Sequence, residues 1–145
     1  MTIEERAARA VELKAGCNCA QAVVLSYADK LPLEEETLKK LAAGYGGGMG
    51  CMEGTCGALV GAVMAAGMLT DGQGTGRYAR EILLGFRERC GATICKDLKG
   101  VETGKVLCPC TECVRNAVLA AGAHPAQHLL AAGWEPEVGG GTADI

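Results

Sequence analysis

Hydrophobic positions along the chain recur mostly three and four residues apart, the spacing of helices that bury one face. Residues 2–15 place Ile3, Ala7, Ala10 and Val11 on one side, with Glu4, Glu5, Arg6, Arg9 and Glu12 mostly elsewhere, and Gly16 ends the segment. Asn18 is a candidate N-cap for a second helix, opened by Cys19 and packed through Ala22, Val23 and Tyr27. Leu31-Pro32 breaks the chain. Glu34, Glu35 and Glu36 then favour a helix start, because carboxylates suit the positive end of the helix dipole. Leu38, Leu41 and Ala42 form the apolar stripe of that helix, which ends at Gly44. Farther on, residues 76–90 read as another helix. Tyr78, Ile82, Phe86 and Cys90 are spaced by four, Ala79 and Leu83 widen the face, and Gly91 caps the end. A short helical turn is predicted near Cys95 and a loop over 100–107. A last helix begins at Pro109 and Thr111, with the stripe Val114, Ala117, Val118 and Ala121.

One stretch breaks this pattern. Gly46, Gly47, Gly48, Gly50 and Gly54 crowd a loop that runs into a segment starting at Cys56, uncharged until Asp71. A helix without a polar face belongs in the middle of a fold. The segment falls short of the roughly 20 residues that a membrane span takes, so it is predicted as a central helix with Thr55 as its N-cap. Gly57 and Gly61, with Ala58, Ala62, Ala65 and Ala66, give it a small-residue surface that lets neighbouring backbones come close. The fold class predicted is all-α: a single-domain bundle of about five or six helices around this Gly/Ala-rich helix. Residues 1–132 form the domain, and 133–145, with the run Gly139–Gly141, form a flexible tail.

Composition narrows the function. The chain has 145 residues and a net charge of −3, with no basic patch of the kind that binds nucleic acid. The start, MTIEERAARAVELKAG, is charged and lacks an apolar signal region. A cytoplasmic protein without membrane insertion is expected. With one Phe, one Trp and three Tyr, the core must come from Ala, Val, Leu and Met.

Nine cysteines are the anomaly. In a cytoplasmic chain they do not read as a disulfide framework, and an odd number leaves one unpaired. Cys56 sits where the central helix begins, and the N–H groups and dipole there favour a thiolate. Cys17 and Cys19 diverge by about 200° if both are helical, whereas Cys110 and Cys113 would face the same way. Three chemistries stay open. Thiolates gathered from separate helix starts can hold an iron–sulfur cluster or iron; cysteine pairs can cycle between dithiol and disulfide; or a structural zinc can sit among four cysteines. Other motifs fail. The glycine loop follows a helix, not a strand, and no Walker lysine follows it. His124 and His128 have Pro125 between them and read as surface residues. No C-x-x-C-H marks a covalent haem.

The motifs N-C-A-Q-A-V at Asn18–Val23, G-G-G-M-G at Gly46–Gly50, C-G-A-x-x-G at Cys56–Gly61, then Cys95 and C-x-x-x-V-R-x-A at Cys110–Ala117, are together specific. Through them the chain resembles the C_GCAxxG_C_C family, described as redox-active proteins, over nearly its whole length to about residue 122. That family in turn resembles the helical scaffold of split-Soret cytochromes c, without the haem motif here. The resemblance implies four recurring cysteines, Cys19, Cys56, Cys95 and Cys110. These are the expected ligands of an iron–sulfur cluster, with Cys51 and Cys113 next in line and Gly47 and Gly48 forming one wall. Cys17, Cys51, Cys90, Cys108 and Cys113 lie outside the four-cysteine pattern. The expected role is electron transfer or redox sensing with an unidentified redox partner protein. A homodimer through the small-residue faces is allowed, not required.

Overall fold

A computed structural model describes residues 1–123. The predicted domain limit at 132, the tail over 133–145, and His124 and His128 lie outside the described residues. Among the described residues there are seven α-helices and no strand: α1 (Ile3–Leu13), α2 (Cys19–Ser26), α3 (Glu35–Ala42), α4 (Gly57–Leu69), α5 (Thr75–Cys90), α6 (Cys95–Lys99) and α7 (Cys110–Gly122). The fold is all-α, as the periodicity implied. No helix among these residues is long and apolar enough to cross a membrane.

The centre is α4. It packs on α2, α5 and α7, while α1 lies across α2 and α7, and α3 covers α2. Its apolar surroundings on several sides explain a sequence with no polar face. Gly61 lets α2 come close: a methyl group there would sit 2.7 Å from the Ala20 carbonyl oxygen and 3.1 Å from Val23 Cβ. Ala20, Ala22, Val23, Val24 and Tyr27 are fully buried, so α2 is enclosed over more than one stripe. Asn18 caps it with a complete capping box. Its side chain accepts from the Gln21 N–H at 2.8 Å, and Gln21 Oε1 accepts from the Asn18 N–H at 3.0 Å. Gly91 ends α5 in the left-handed region, as predicted.

Several expectations need correction. Arg6 faces inward, not outward. Its guanidinium pairs with both Asp29 carboxylate oxygens at 2.6 and 3.0 Å, donates to the Ser26 carbonyl, and lies 4.8 Å from the Tyr27 ring centre. A buried charge needs such a complete set of partners. In α3 the stripe narrows to Leu38 and Ala42, both fully buried, whereas Leu41 is 51% exposed, because α3 packs chiefly on α2 among the described helices. Thr55 does not cap α4. It forms an isolated antiparallel bridge with Ile94, leaving Cys56 at the N-cap position. Between α4 and α5 a groove of about 600 Å³ is lined by Thr55, Leu59, Val60, Val63 and Met64, with Ala79 and Leu83 of α5.

Substituting Gly61→Ala forces a backbone contact that no side-chain rotation relieves. Chemical denaturation is expected to show a loss of about 1–3 kcal/mol, with the helical circular dichroism of the folded state retained.

Candidate metal and redox centre

The glycine loop is a wound turn, not an open connection. Gly47, Gly48, Met49 and Gly50 all have positive φ, at 63°, 60°, 66° and 76°. Only glycine adopts this region without steric cost, so Met49 is strained. The path is pinned on both sides: the Gly54 N–H donates to the Gly48 carbonyl, the Cys95 N–H to the Gly54 carbonyl, both at 3.0 Å, and the Cys56 N–H to the Thr93 carbonyl at 2.8 Å. Two sequence-distant segments, 48–56 and 93–95, are thereby laced together at the start of α4.

The cysteine sulfurs gather at that point. Cys19 and Cys56 are buried neighbours whose thiols shift each other's ionisation. A Cβ at Gly57 would stand 2.6 Å from Cys19 Sγ, and one at Gly48 would stand 2.5 Å from Cys95 Cβ and 3.3 Å from its Sγ. The glycines of the loop and of the C-G-A-x-x-G motif therefore make room for two of the sulfurs. Cys95 is buried at the first residue of α6, and Cys110 is exposed at the first residue of α7. Cys95 senses the charge of both Cys56 and Cys110, and Cys19 does so as well. Among the described residues no three of these four sulfurs come within 4.8 Å of one another.

A different trio does. The sulfurs of Cys90, Cys108 and Cys113 all lie within 4.8 Å of one another, close enough to hold one metal ion. Periodicity assigned Cys90 to the core as the last residue of the inner stripe of α5. It is buried there, but its sulfur faces two others. Cys113 also touches Cys56, so the trio adjoins the Cys19–Cys56 pair. Cys110 and Cys113 part company: α7 leaves Cys110 in solvent and Cys113 fully buried, because the 60° between positions three apart straddles the edge of its inner face. Both still reach Lys99, whose ammonium group lies 3.7 Å from Cys113 Sγ and donates to the Cys108 carbonyl at 3.2 Å. Of the remaining cysteines, Cys51 is exposed in the glycine turn, its thiol 3.8 Å from the Gly48 carbonyl, and Cys17 is half-buried just before α2.

Electrostatics sort these thiols. The Cys56 thiol is pushed down to about 3, first by the neighbouring Cys113 and Cys19 thiols, against burial, and further by the N–H groups of Ala58 and Leu59. Cys19 and Cys113 shift upward, as donors to that thiolate in a buried place; the Gly47 N–H opposes the shift at Cys19. Cys90 falls to about 6 through Cys113, against burial, with help from Asn116, while burial pushes Cys108 up to about 11. Burial also raises Cys95. For Lys99, burial works downward, but the sulfurs of Cys110, Cys113 and Cys56 outweigh it and the shift is upward.

Comparison with known proteins agrees with the cysteine pattern. The family model described as "Putative redox-active protein (C_GCAxxG_C_C)" matches residues 17–123. No curated protein and no solved structure gives a significant match.

A thiol held at about 3 in the folded chain and near 8.5 when unfolded contributes stability that is present above the unfolded value and lost as pH falls toward the folded one. The reduced, metal-free protein is therefore expected to lose stability between about pH 8 and pH 5, where carboxylates barely titrate. The Cys56 share is at most about 1.4 kcal/mol per pH unit. Urea denaturation across that window checks it: Cys56→Ser should flatten the slope relative to the unsubstituted chain.

Proposed function

The chain belongs to the C_GCAxxG_C_C family, and we propose that it is a cytoplasmic redox protein whose motif cysteines Cys19, Cys56, Cys95 and Cys110 hold an iron–sulfur cluster. The donor chemistry fits. An all-thiolate set selects soft metals and iron–sulfur centres over hard cations. Spacing carries the choice of a cluster over a single ion: among the described residues no three of the four sulfurs lie within 4.8 Å of one another. A polynuclear cluster has the extent to reach ligands so spread; one tetrahedral ion does not.

When bound, such a cluster supplies one-electron chemistry. The residues around it set its environment. The N–H group of Gly47 near Cys19, and those of Ala58 and Leu59 near Cys56, favour negative charge on sulfur and would so raise the reduction potential. The Lys99 ammonium group, beside Cys110 and within the field of Cys56, acts in the same direction. Exposed Cys110 marks the side on which a redox partner protein would exchange electrons. The function is electron transfer or redox sensing, and a homodimer remains compatible with it.

A second reading rests on the electrostatic pairing of the buried Cys19 and Cys56 thiols: a thiol beside a low-pKa thiolate suits dithiol–disulfide cycling. Anaerobic reconstitution with ferrous iron and sulfide separates the two. The cluster reading expects brown protein whose visible absorption bleaches with dithionite, and loss of most of that colour and iron in Cys56→Ser but not in Cys51→Ser. Colourless, iron-free protein that reversibly forms a mass-mapped Cys19–Cys56 disulfide would establish the second reading instead.

A further inference from the structure

We propose that Cys90, Cys108 and Cys113 form a second metal site, separate from the motif cysteines, which binds a single thiophilic ion of the zinc class. The inference does not depend on the iron–sulfur reading. None of the three belongs to the four motif positions. They reach one spot from three places in the fold: the last residue of α5, the loop ahead of α7, and the inner face of α7.

Three observations carry it. First is distance. Zinc–sulfur bonds of about 2.3 Å in a tetrahedron set the sulfurs about 3.8 Å apart. The trio already lies within 4.8 Å, so small side-chain rotations close it on one ion. Second is burial: the residues are 4%, 4% and 0% exposed. Third is the arrangement around the sulfurs. Asn116 Nδ2 donates to Cys90 Sγ at 3.4 Å and approaches Cys108 Sγ at 3.9 Å, while Lys99 Nζ lies 3.7 Å from Cys113 Sγ. Cysteines that merely fill a core behave as small hydrophobes and do not gather an amide and an ammonium group. N–H donors that orient thiolate ligands and stabilise their charge are instead what outer partners of a metal site provide.

Charge supports one divalent ion. Three thiolates and one divalent cation leave one negative charge, and Lys99 stands beside the cluster to balance it. Binding displaces the thiol protons to solvent, so no oxidant or reductant is needed. With three protein ligands, the fourth position falls to water or to another donor at the site.

The test uses the full chain, reduced and metal-free, titrated anaerobically with Cd²⁺, whose thiolate charge-transfer absorption reports binding. The unsubstituted protein is expected to take up one equivalent more than Cys90→Ser or Cys108→Ser, or to bind that equivalent at least 10-fold more tightly. Asn116→Ala should keep the stoichiometry and weaken the affinity, the signature of an orienting partner. Iron–sulfide reconstitution of the two serine variants should give the same visible spectrum as the unsubstituted chain. Equal stoichiometry and affinity in the unsubstituted protein and both serine variants would overturn the site. If those variants do not fold, cysteine alkylation of the unsubstituted protein decides, run in mild denaturant that lets the metal-free chain open. Cd²⁺ should protect Cys90, Cys108 and Cys113 together, and protection of other cysteines without these three would also overturn it. Failure of the iron–sulfur reading, seen as colourless protein, leaves the Cd²⁺ result unaffected.

Discussion

The structure depends on how a thiolate is kept away from water at the start of a wholly apolar helix. An α-helix leaves its first N–H groups without partners inside the helix, and α4 is too enclosed for water to serve them all. Cys56 occupies the N-cap position, where no side chain makes a capping hydrogen bond. The N–H groups of Ala58 and Leu59, just beyond it in the chain, favour its sulfur as an anion. Each side of the contact answers a need of the other: the helix end requires an acceptor, and the buried sulfur requires donors.

The surrounding architecture follows from that contact. To bring further sulfurs to the same place, backbone must pass where a side chain would ordinarily stand. Gly57 clears the position beside Cys19, and Gly48, at φ 60°, turns the loop against Cys95. The short pairing of residues 54–56 with 93–95 then holds the loop and the start of α6 in register. The motif glycines and motif cysteines are thus one device. The glycines create close approaches, and the cysteines fill the resulting pocket with polarizable donors.

Local signals in the sequence were enough for most of the helices. Asn18 with Gln21 specifies a capping box that the structure contains, Gly91 specifies a left-handed stop, and the stripe Val114, Ala117, Val118 and Ala121 is fully buried. Misreadings arose where a long-range partner decides the outcome. Arg6 is buried because Asp29, the Ser26 carbonyl and the Tyr27 ring converge on it. Thr55 loses the capping position because Ile94 pairs with its backbone. Leu41 is exposed because, among the described residues, α3 packs chiefly on α2, on its other face. The site divides in the same way. Cys56 and the glycine wall are legible from a helix start and a glycine run. The trio is not, because periodicity reports only that Cys90 faces inward and cannot report which residues of α7 and its preceding loop it meets.

Cys113 is the residue on which the two sulfur groups turn. Its fully buried thiol touches Cys56 on one side, stands within 4.8 Å of Cys90 and Cys108 on another, and lies near Lys99. It cannot give its one proton to Cys56 and also serve a metal ion as a thiolate. An ion on the trio therefore removes a hydrogen-bond donor from Cys56 while setting a positive charge nearby. The first change weakens the hold on the Cys56 thiolate, and the second strengthens it. Because linkage is reciprocal, whatever binds at the motif cysteines and alters the charge on Cys56 must shift the affinity of the trio by the same factor. An aliphatic side chain at residue 113 would break that connection, and it would also leave the trio with only the Cys90 and Cys108 sulfurs.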